Sequence, residues 1–323
     1  MRSDMRIRLL TGVLSLALVM TACSGGSPSG SSDAAGAGAA GGTKTVKLAI
    51  NPWIGYEASA AVVAYLLEHE LGYKVEKIES GEADSWKGFE KGTVDVVLEN
   101  WAHPELKKEF IEQKKVAVTA GENGNKGVLG WYVPEWMVKK YPDITDWHNL
   151  VKYKDLFKTD KSGGLGQYLA GDKSFVTNDE ALIRNLHLPY KVVYSGSEDA
   201  LIAAARKATE NETPLLMYFY EPQWLFNQLK LVKISLPPYA IGCDADPKTV
   251  KCDYPPYLLD KIVSVKFARN GGKAYELIKN FVWTNDDQNS VAFDMAENKM
   301  SAENAARKWV EANKIVWQDW IPV

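Results

Sequence analysis

Aromatic residues follow or end four predicted strands of this chain. They are Trp53 and Tyr56 after the first strand, Trp101 after the third, Trp131 and Tyr132 in the fourth, and Tyr218, Tyr220 and Trp224 at the last. In open α/β sheets ligands bind beyond the carboxyl ends of the strands, so we expect these rings at the rim of one cleft. An aromatic face attracts a cation and offers apolar surface to methyl groups, and it also stacks on sugars. The pattern therefore favours a site for a methylated cation or a sugar.

Bulk composition excludes several other classes of protein. The chain has 323 residues, of which 46% are hydrophobic and 24% are charged, and its net charge is -3. This composition is that of a soluble globular protein, the length suits two lobes, and the charge gives no basic field for nucleic acid. No cofactor, metal or catalytic residue is expected. The sequence has no phosphate-binding glycine loop and no Gly-x-Ser-x-Gly motif, and its four histidines lack metal-ligand spacing.

The first 43 residues have the sequence features of an export and anchoring segment. Residues 1–22 combine an arginine-rich start with a short apolar stretch, Leu9–Met20, which is typical of a signal peptide. The next residue, Cys23, follows Met-Thr-Ala, which resembles the lipobox of bacterial lipoproteins, whose cysteine is lipidated. Residues 23–43 contain almost only Gly, Ser and Ala after that cysteine, so we expect a flexible tether. These features predict a protein held by lipid on the extracytoplasmic face of the membrane.

The other two cysteines, Cys243 and Cys252, are expected to form a disulfide, because an isolated pair outside the cytosol usually does so. The alternative is a metal-binding pair. No histidine lies near them in the sequence, and Asp244 and Asp246 lack the glycine and the distal glutamate of a calcium loop. A polar, solvated turn between the cysteines is therefore the better interpretation.

Short apolar strands alternate with helices along the ordered part of the chain, which predicts an α/β fold with helices on the faces of its sheets. Strands are expected at 46–50, 74–78, 94–98, 128–133, 191–194 and 215–220, and helices at 58–70, 104–113, 178–187, 197–209 and 301–313. Asn178 and Ser197 have the residue types of helix N-caps, and Thr284-x-x-Asp287 has the pattern of a capping box.

Four stretches, in this order, resemble the glycine betaine/choline/proline betaine substrate-binding proteins of ABC importers. They are Asn-Pro-Trp-Ile-Gly-Tyr-Glu-Ala at 51–58, Leu-Glu-Asn-Trp at 98–101, Gly-Trp-Tyr-Val-Pro at 130–134 and Tyr-Phe-Tyr-Glu-Pro-Gln-Trp at 218–224. The resemblance implies a two-lobed, type II periplasmic-binding-protein fold with the ligand in the inter-lobe cleft. Lobe 1 would comprise 44–134 and 240–323, and lobe 2 would comprise 135–239. A monomer that delivers its ligand to a membrane permease is implied.

The same resemblance implies ligand-binding roles for particular residues. Trp53 and Trp101 match cage positions on lobe 1, and Trp131 or Tyr132 matches an aromatic near the first crossover between the lobes. Tyr220 stands where many relatives have tryptophan. The expected ligand-binding set is Trp53, Tyr56, Trp101, Trp131, Tyr132, Asn178 and Tyr220, with Asn178 as a polar contact.

The ligand itself is less sharply defined by the sequence. Gly55 stands where some choline binders of this family have aspartate, so glycine betaine is expected slightly ahead of choline, with proline betaine and carnitine as further candidates. Glu57 and Glu99 could attract a cation, but a helix-terminal charge and structural hydrogen bonding are the more ordinary roles for them. A sugar- or peptide-binding lipoprotein is the alternative, and a surface hydrolase is a weaker one.

Overall fold

The computed structural model describes residues 44–175 and 177–323. The predicted signal peptide, the predicted lipidation site Cys23 and the predicted tether therefore lie outside the described residues, and they stay predictions. Among the described residues, no helix is long and apolar enough to cross a membrane.

The described residues form nine strands. They are β1 (Thr45–Ile50), β2 (Lys74–Glu79), β3 (Val96–Asn100), β4 (Ala117–Pro134), β5 (Gly166–Ala170), β6 (Tyr190–Tyr194), β7 (Met217–Glu221), β8 (Leu231–Lys233) and β9 (Tyr257–Ser264).

Twelve α-helical segments accompany the strands in the described part of the chain. They are α1 (Ile54–His69), α2 (Glu82–Lys91), α3 (Pro104–Leu106), α4 (Glu135–Lys140), α5 (Leu150–Tyr153), α6 (Asp179–Asn185), α7 (Glu198–Glu210), α8 (Val265–Asn270), α9 (Lys273–Asn280), α10 (Asn285–Ala296), α11 (Ala302–Ala312) and α12 (Lys314–Trp317). A π-helix over Lys107–Gln113 continues α3, and short 3-10 turns complete the connections.

The strands pair in the order β2-β1-β3-β9-β4-β7-β5-β6, and β8 pairs with the end of β4. The 18-residue strand β4 links two groups of strands. Its first part, up to Gly127, pairs with β9, whereas Val128–Pro134 pairs with β7 and β8. The pairing thus divides into a first group (β1, β2, β3, β9) and a second group (β5, β6, β7, β8). The exact lobe boundaries given by the sequence stay a prediction.

Parallel pairing brings the predicted aromatic residues together. β1 and β3 run parallel, so their carboxyl ends, which lead into Trp53 and Trp101, lie at the same edge of the first group. In the second group β5 runs parallel to β7, with Leu169 opposite Met217. The carboxyl end of β7 carries Tyr220. The two edges meet at β4, which belongs to both groups.

Helix α1 starts earlier than the sequence predicts, at Ile54 rather than Ala58. Trp53 takes an extended N-cap conformation (φ −143°, ψ 146°), so the chain passes from the β1 end into the helix within three residues. Most of α1 is small and buried, and it packs against α10 and α11. A helix that is apolar on nearly all sides is buried on nearly all sides, and α1 follows that rule.

Local capping mostly agrees with the sequence. The Ser197 hydroxyl accepts a hydrogen bond from the Ala200 N–H, and Thr284 and Asp287 form the predicted capping box. Asn178 occupies the N-cap position of α6, but its side chain makes no capping hydrogen bond.

The disulfide between Cys243 and Cys252 is present, with 6.2 Å between the Cα atoms. It closes the surface loop before β9. We expect the Cys243→Ser/Cys252→Ser double variant to lower the free energy of unfolding by about 2 to 3 kcal/mol, because the bond removes loop-closure entropy from the unfolded chain. Urea denaturation of both proteins, with and without a reductant, measures this difference. An unchanged unfolding midpoint would contradict the structural role of the bond.

Candidate ligand-binding site

A small pocket lies between the two groups of strands. The space between its protein atoms, counted together with the solvent at its open side, is about 310 Å³. Each group, with the segments that follow its strands, contributes three residues, and the linking strand β4 contributes one. The lining residues are Trp53, Glu82 and Trp101 from the first group, Phe175, Tyr218 and Tyr220 from the second, and Leu129 from β4. Five of these seven side chains are aromatic, so most of the wall is formed by rings.

The five rings contact one another in a continuous series. The ring centroids of Trp53 and Phe175 are 5.9 Å apart, those of Phe175 and Tyr218 are 6.2 Å apart, and those of Tyr218 and Tyr220 are 6.1 Å apart. Tyr220 then meets Trp101 at 5.8 Å with an interplanar angle of 86°. Edge-to-face pairs of this kind stabilise each other beyond their buried area. We call these five rings the aromatic cage.

Both ends of this series are held by one carboxylate. Glu99, the fourth residue of β3, is 2% exposed. Its Oε1 accepts a hydrogen bond from the Trp53 Nε1 at 2.8 Å and from the Trp101 Nε1 at 3.0 Å. The two indoles are therefore fixed relative to each other through a single oxygen atom, and their N–H groups are already satisfied.

The second oxygen of Glu99 is also engaged. The Gln288 Nε2 on α10 donates to the Glu99 Oε2 at 2.6 Å, and the Asn125 amide of β4 donates to the Gln288 Oε1. Burial raises the pKa of Glu99, against the lowering effect of the hydrogen bonds from Trp53, Gln288 and Trp101. Glu99 thus has the structural hydrogen-bonding role that the sequence favours, and it is not part of the pocket lining.

Space for the Trp101 ring depends on a glycine. A Cβ atom at Gly127 of β4 would lie 2.5 Å from the Trp101 ring. Real Cβ contacts are not that short, so any side chain at this position would displace the ring from the pocket wall. Gly127 is also the residue at which β4 stops pairing with β9. Trp101 thus packs on β4 at the point where this strand changes its pairing partner.

An acidic side chain lines the pocket beside the rings. Glu82, at the start of α2, is hydrogen-bonded to the His103 Nε2. His103 reaches Glu82 because Ala102 and His103 turn the chain after Trp101 through left-handed backbone conformations (φ 71° and 36°). Burial alone would lower the pKa of His103, but its hydrogen bonds to Glu105 and Glu82 outweigh burial and raise that pKa to about 9. A charged histidine therefore compensates the Glu82 carboxylate.

A third buried carboxylate, Glu198 at the start of α7, connects the two groups of strands. Its Oε2 accepts the backbone N–H of Ile54, the first residue of α1, at 2.7 Å. Its Oε1 accepts from the Tyr220 hydroxyl and from the Gln223 Nε2, the latter at 2.5 Å. Burial raises the pKa of Glu198 to about 7, although these three hydrogen bonds favour the ionised form and Glu57 disfavours it.

The sequence-predicted residues fall into two sets. Trp53, Trp101 and Tyr220 lie in the pocket wall. Tyr56 lies behind Trp53 with its ring at 5.3 Å, and its hydroxyl accepts the Leu98 N–H. It supports the wall without lining it.

The remaining three predicted residues lie away from the pocket. Trp131 is fully buried two residue pairs along the sheet from Leu129 and Tyr220, and its Nε1 donates to Asp179 at 2.7 Å. Tyr132 packs against Phe219 and Phe226. Asn178 contacts the Tyr254 hydroxyl through its backbone N–H.

The expected ligand-binding set did not include Glu82, Leu129, Phe175 and Tyr218, although Tyr218 was among the rings expected at the cleft rim. Tyr218 carries the clearest signal, because it lies two residues before Tyr220 and alternate residues of a strand share a face. Glu82 follows the carboxyl end of β2, which is the same rule that selected Trp53. Phe175 follows β5, whose sequence was not recognised as a strand.

Comparison with known proteins gives the family. The model for the substrate-binding domain of ABC-type glycine betaine transport systems (OpuAC) matches residues 44–312. The chain belongs to this family. Members of the OpuAC family are solute-binding proteins of ABC importers, which work outside the cytoplasm together with a membrane permease.

A sequence relative and two solved structures are similar over most of the chain. The trimethylamine N-oxide-binding protein of Pelagibacter ubique (strain HTCC1062) is 25% identical, over 85% of this chain and 90% of that protein. Lactococcal OpuAC in its closed-liganded conformation complexed with glycine betaine has a TM-score of 0.67 and 21% identity, covering 86% of this chain and all of that one. An ABC-transporter choline-binding protein in complex with choline has a TM-score of 0.70 and 17% identity, covering 85% of this chain and 91% of that one.

These similarities confirm the predicted α/β fold of the two-lobed, type II periplasmic-binding-protein class and the predicted family. Within residues 44–175 and 177–323, no group of three or more His, Cys, Asp and Glu side chains is placed to hold a metal ion.

The Glu99 network gives a first testable expectation. In the Glu99→Gln variant, Oε1 can still accept from both indoles, but the new amide N–H group would face the Gln288 amide, which Asn125 holds in place. A buried donor without an acceptor costs about 1 to 3 kcal/mol. We expect that decrease in the free energy of unfolding, measured by urea denaturation followed by tryptophan fluorescence. The Glu57→Gln variant, which changes a half-buried acid outside this network, is the control; equal losses in both variants would argue against the network.

Glu198 gives an expectation for the pH dependence of stability. Its pKa is raised from 4.5 to about 7 in the folded protein, so the folded state binds the proton more tightly than the unfolded state does. Its favourable contribution is thus present below about pH 4.5 and is lost as the pH rises to 7. Relative to Glu198→Gln, the wild-type free energy of unfolding should decrease across this range and level off above it. Parallel pH profiles of urea midpoints for the two proteins would refute this.

Proposed function

We propose that this protein captures a small methylated ammonium compound in the aromatic cage and delivers it to an ABC importer. The cage of Trp53, Phe175, Tyr218, Tyr220 and Trp101 is the observation that carries the proposal. A methylated ammonium group has no N–H to donate, so it gains most from the faces of rings that surround it.

The binding free energy that such a cage can supply is large enough for a micromolar dissociation constant. Each cation–π contact contributes roughly 0.5 to 2 kcal/mol, and more where water is excluded. All five rings belong to buried or half-buried residues. Three or four such contacts, together with apolar burial of the methyl groups, are compatible with a micromolar dissociation constant, about −8 kcal/mol.

The charges around the cage support a cationic ligand. Glu82 lines the pocket, and the carboxylates of Glu99 and Glu198 hold its walls. His103 compensates Glu82, but the two wall-holding carboxylates are bonded to neutral donors. A bound cation would lower the cost of burying these negative charges, because opposite charges favour each other's ionised forms at close range.

The family and its relatives suggest which compounds to examine. Glycine betaine, choline, proline betaine and carnitine are the candidates from the sequence. The Pelagibacter relative, which is named for trimethylamine N-oxide, adds that compound. A sugar is disfavoured, because sugar sites combine stacking with several polar side chains, whereas Glu82 is the one charged residue in the lining.

Membrane attachment is part of the proposal. Cys23 would carry the lipid, and residues 24–43 would let the folded part move beside the permease.

Isothermal titration calorimetry with Trp101→Ala tests the proposal. We expect the wild type to bind at least one of the five ammonium compounds in the micromolar range, and the variant to lose about 100-fold or more in affinity, because it removes one wall of the cage and the partner ring of Tyr220. The matched control is Trp147→Ala, which removes a half-buried tryptophan stacked on His148 outside the pocket. Its affinity should equal that of the wild type.

Two results would contradict the proposal. Binding of sugars without binding of any methylated ammonium compound would assign the rings to stacking. Unchanged affinity in a folded Trp101→Ala protein, checked by circular dichroism, would remove the cage from the site.

A further inference from the structure

We infer that Glu198 is a built-in occupant of the anion-binding position beside the cage, and that it selects ligands with a methylated cation and no carboxylate. This inference rests on the proposed function and narrows its substrate class. Gly55 suggests that the protein prefers glycine betaine slightly over choline. Glu198 predicts the reverse order of affinity, with choline and similar cations ahead of glycine betaine and proline betaine.

Helix α1 has its amino end at the cage. This helix is 16 residues long, and its N-cap is Trp53, a wall of the cage. The free N–H groups and the dipole at such a helix end form a favourable position for an anion. Trp53 lines the pocket and Ile54 follows it directly, so a betaine whose ammonium group lies against Trp53 has the Ile54 N–H as a candidate partner for its carboxylate.

The protein supplies its own carboxylate at that position. The Glu198 Oε2 accepts the Ile54 N–H at 2.7 Å, and Glu198 is 5% exposed. The other oxygen is fixed by Tyr220 and by Gln223, so the carboxylate cannot turn away without losing both bonds. A ligand carboxylate would have to displace Glu198 or lie next to it, and either outcome costs binding energy.

The neighbouring donors are occupied as well. The indole N–H groups of Trp53 and Trp101 both point to Glu99, and the Tyr220 hydroxyl donates to Glu198. The charged group in the lining is Glu82, which repels a carboxylate and attracts a cation. Donors and charges around the cage therefore favour the same class of ligand.

A second acidic residue strengthens this bias. Glu57 of α1 raises the pKa of Glu198 through its negative charge. No positive side chain is among the groups that shift its pKa in the described structure. Introducing a ligand carboxylate here would add a further negative charge to this acidic surrounding, whereas a cation would relieve it.

Calorimetric dissociation constants of choline and glycine betaine, measured with the whole folded chain, test the inference. For the wild type we expect choline to bind at least about tenfold more tightly than glycine betaine. In Glu198→Gln and Glu198→Ala the ratio of the two dissociation constants should shift towards glycine betaine by about tenfold, because the Ile54 N–H no longer faces a carboxylate. The control, Asp199→Asn, removes an exposed charge one residue away and should leave the ratio unchanged.

The outcomes separate this inference from the proposed function. Glycine betaine binding as tightly as choline to the wild type would overturn the role of Glu198 while leaving the cage in place, and this comparison requires no variant. An equal ratio in the wild type and in folded Glu198→Gln would overturn it as well. If neither compound binds the wild type, and the other ammonium compounds also fail to bind, the proposed function itself is wrong.

Discussion

The site depends on one buried carboxylate oxygen that accepts two hydrogen bonds. The Glu99 Oε1 fixes the indoles of Trp53 and Trp101, which arrive from two different strands, at a constant separation. A cage for a cation needs its ring faces preorganised, because every ring that must be ordered on binding costs affinity. The other oxygen is tied to Gln288, so α10 near the carboxyl end of the chain also stabilises this geometry. Rings of the second group can complete the cage only against a wall that is already fixed.

The second constraint is electrostatic. Carboxylates are costly to bury, and this protein buries several near one pocket. Glu99 and Glu198 accept hydrogen bonds from neutral donors, and Glu82 is paired with His103. Under the proposed function, a bound cation would offset these buried negative charges. Glu198 also joins the start of α1 to Tyr220 across the two groups of strands. Under the proposal, the side chain that links the two groups is therefore also the one that selects the ligand.

The part of the site that the sequence reveals is the part set by simple strand geometry. Trp53 and Trp101 follow parallel strands, and the rule for carboxyl ends places them correctly. The same rule does not distinguish Trp131 from Tyr220, since both lie near the end of a strand. The pairing register and a buried partner decide it: Trp131 lies opposite Tyr218, two residue pairs along from Leu129 and Tyr220, where it is fully buried and donates to Asp179. Register between distant strands is not visible in a single sequence.

Strand β9 was not predicted from the sequence, and the reason is again physical. Strand β9, next to β4 near the middle of the sheet, has Asp260 and Lys261 in its interior, which breaks the apolar pattern. Lys261 is nevertheless buried, because its ammonium group donates to the carbonyl oxygens of Lys279 and Phe281. Such compensation by distant backbone cannot be predicted from local composition. The role of Glu198 is similar, because its sequence position at the start of α7 indicates only a favourable helix-terminal charge.

The most direct test of the account is a crystal structure of the folded protein with choline. The account places the ligand nitrogen within roughly 6 Å of the ring centroids of Trp53, Trp101, Tyr218 and Tyr220, with the Ile54 N–H still bonded to Glu198. A nitrogen that lies outside these rings, or a ligand oxygen in the place of the Glu198 carboxylate at the Ile54 N–H, would contradict it.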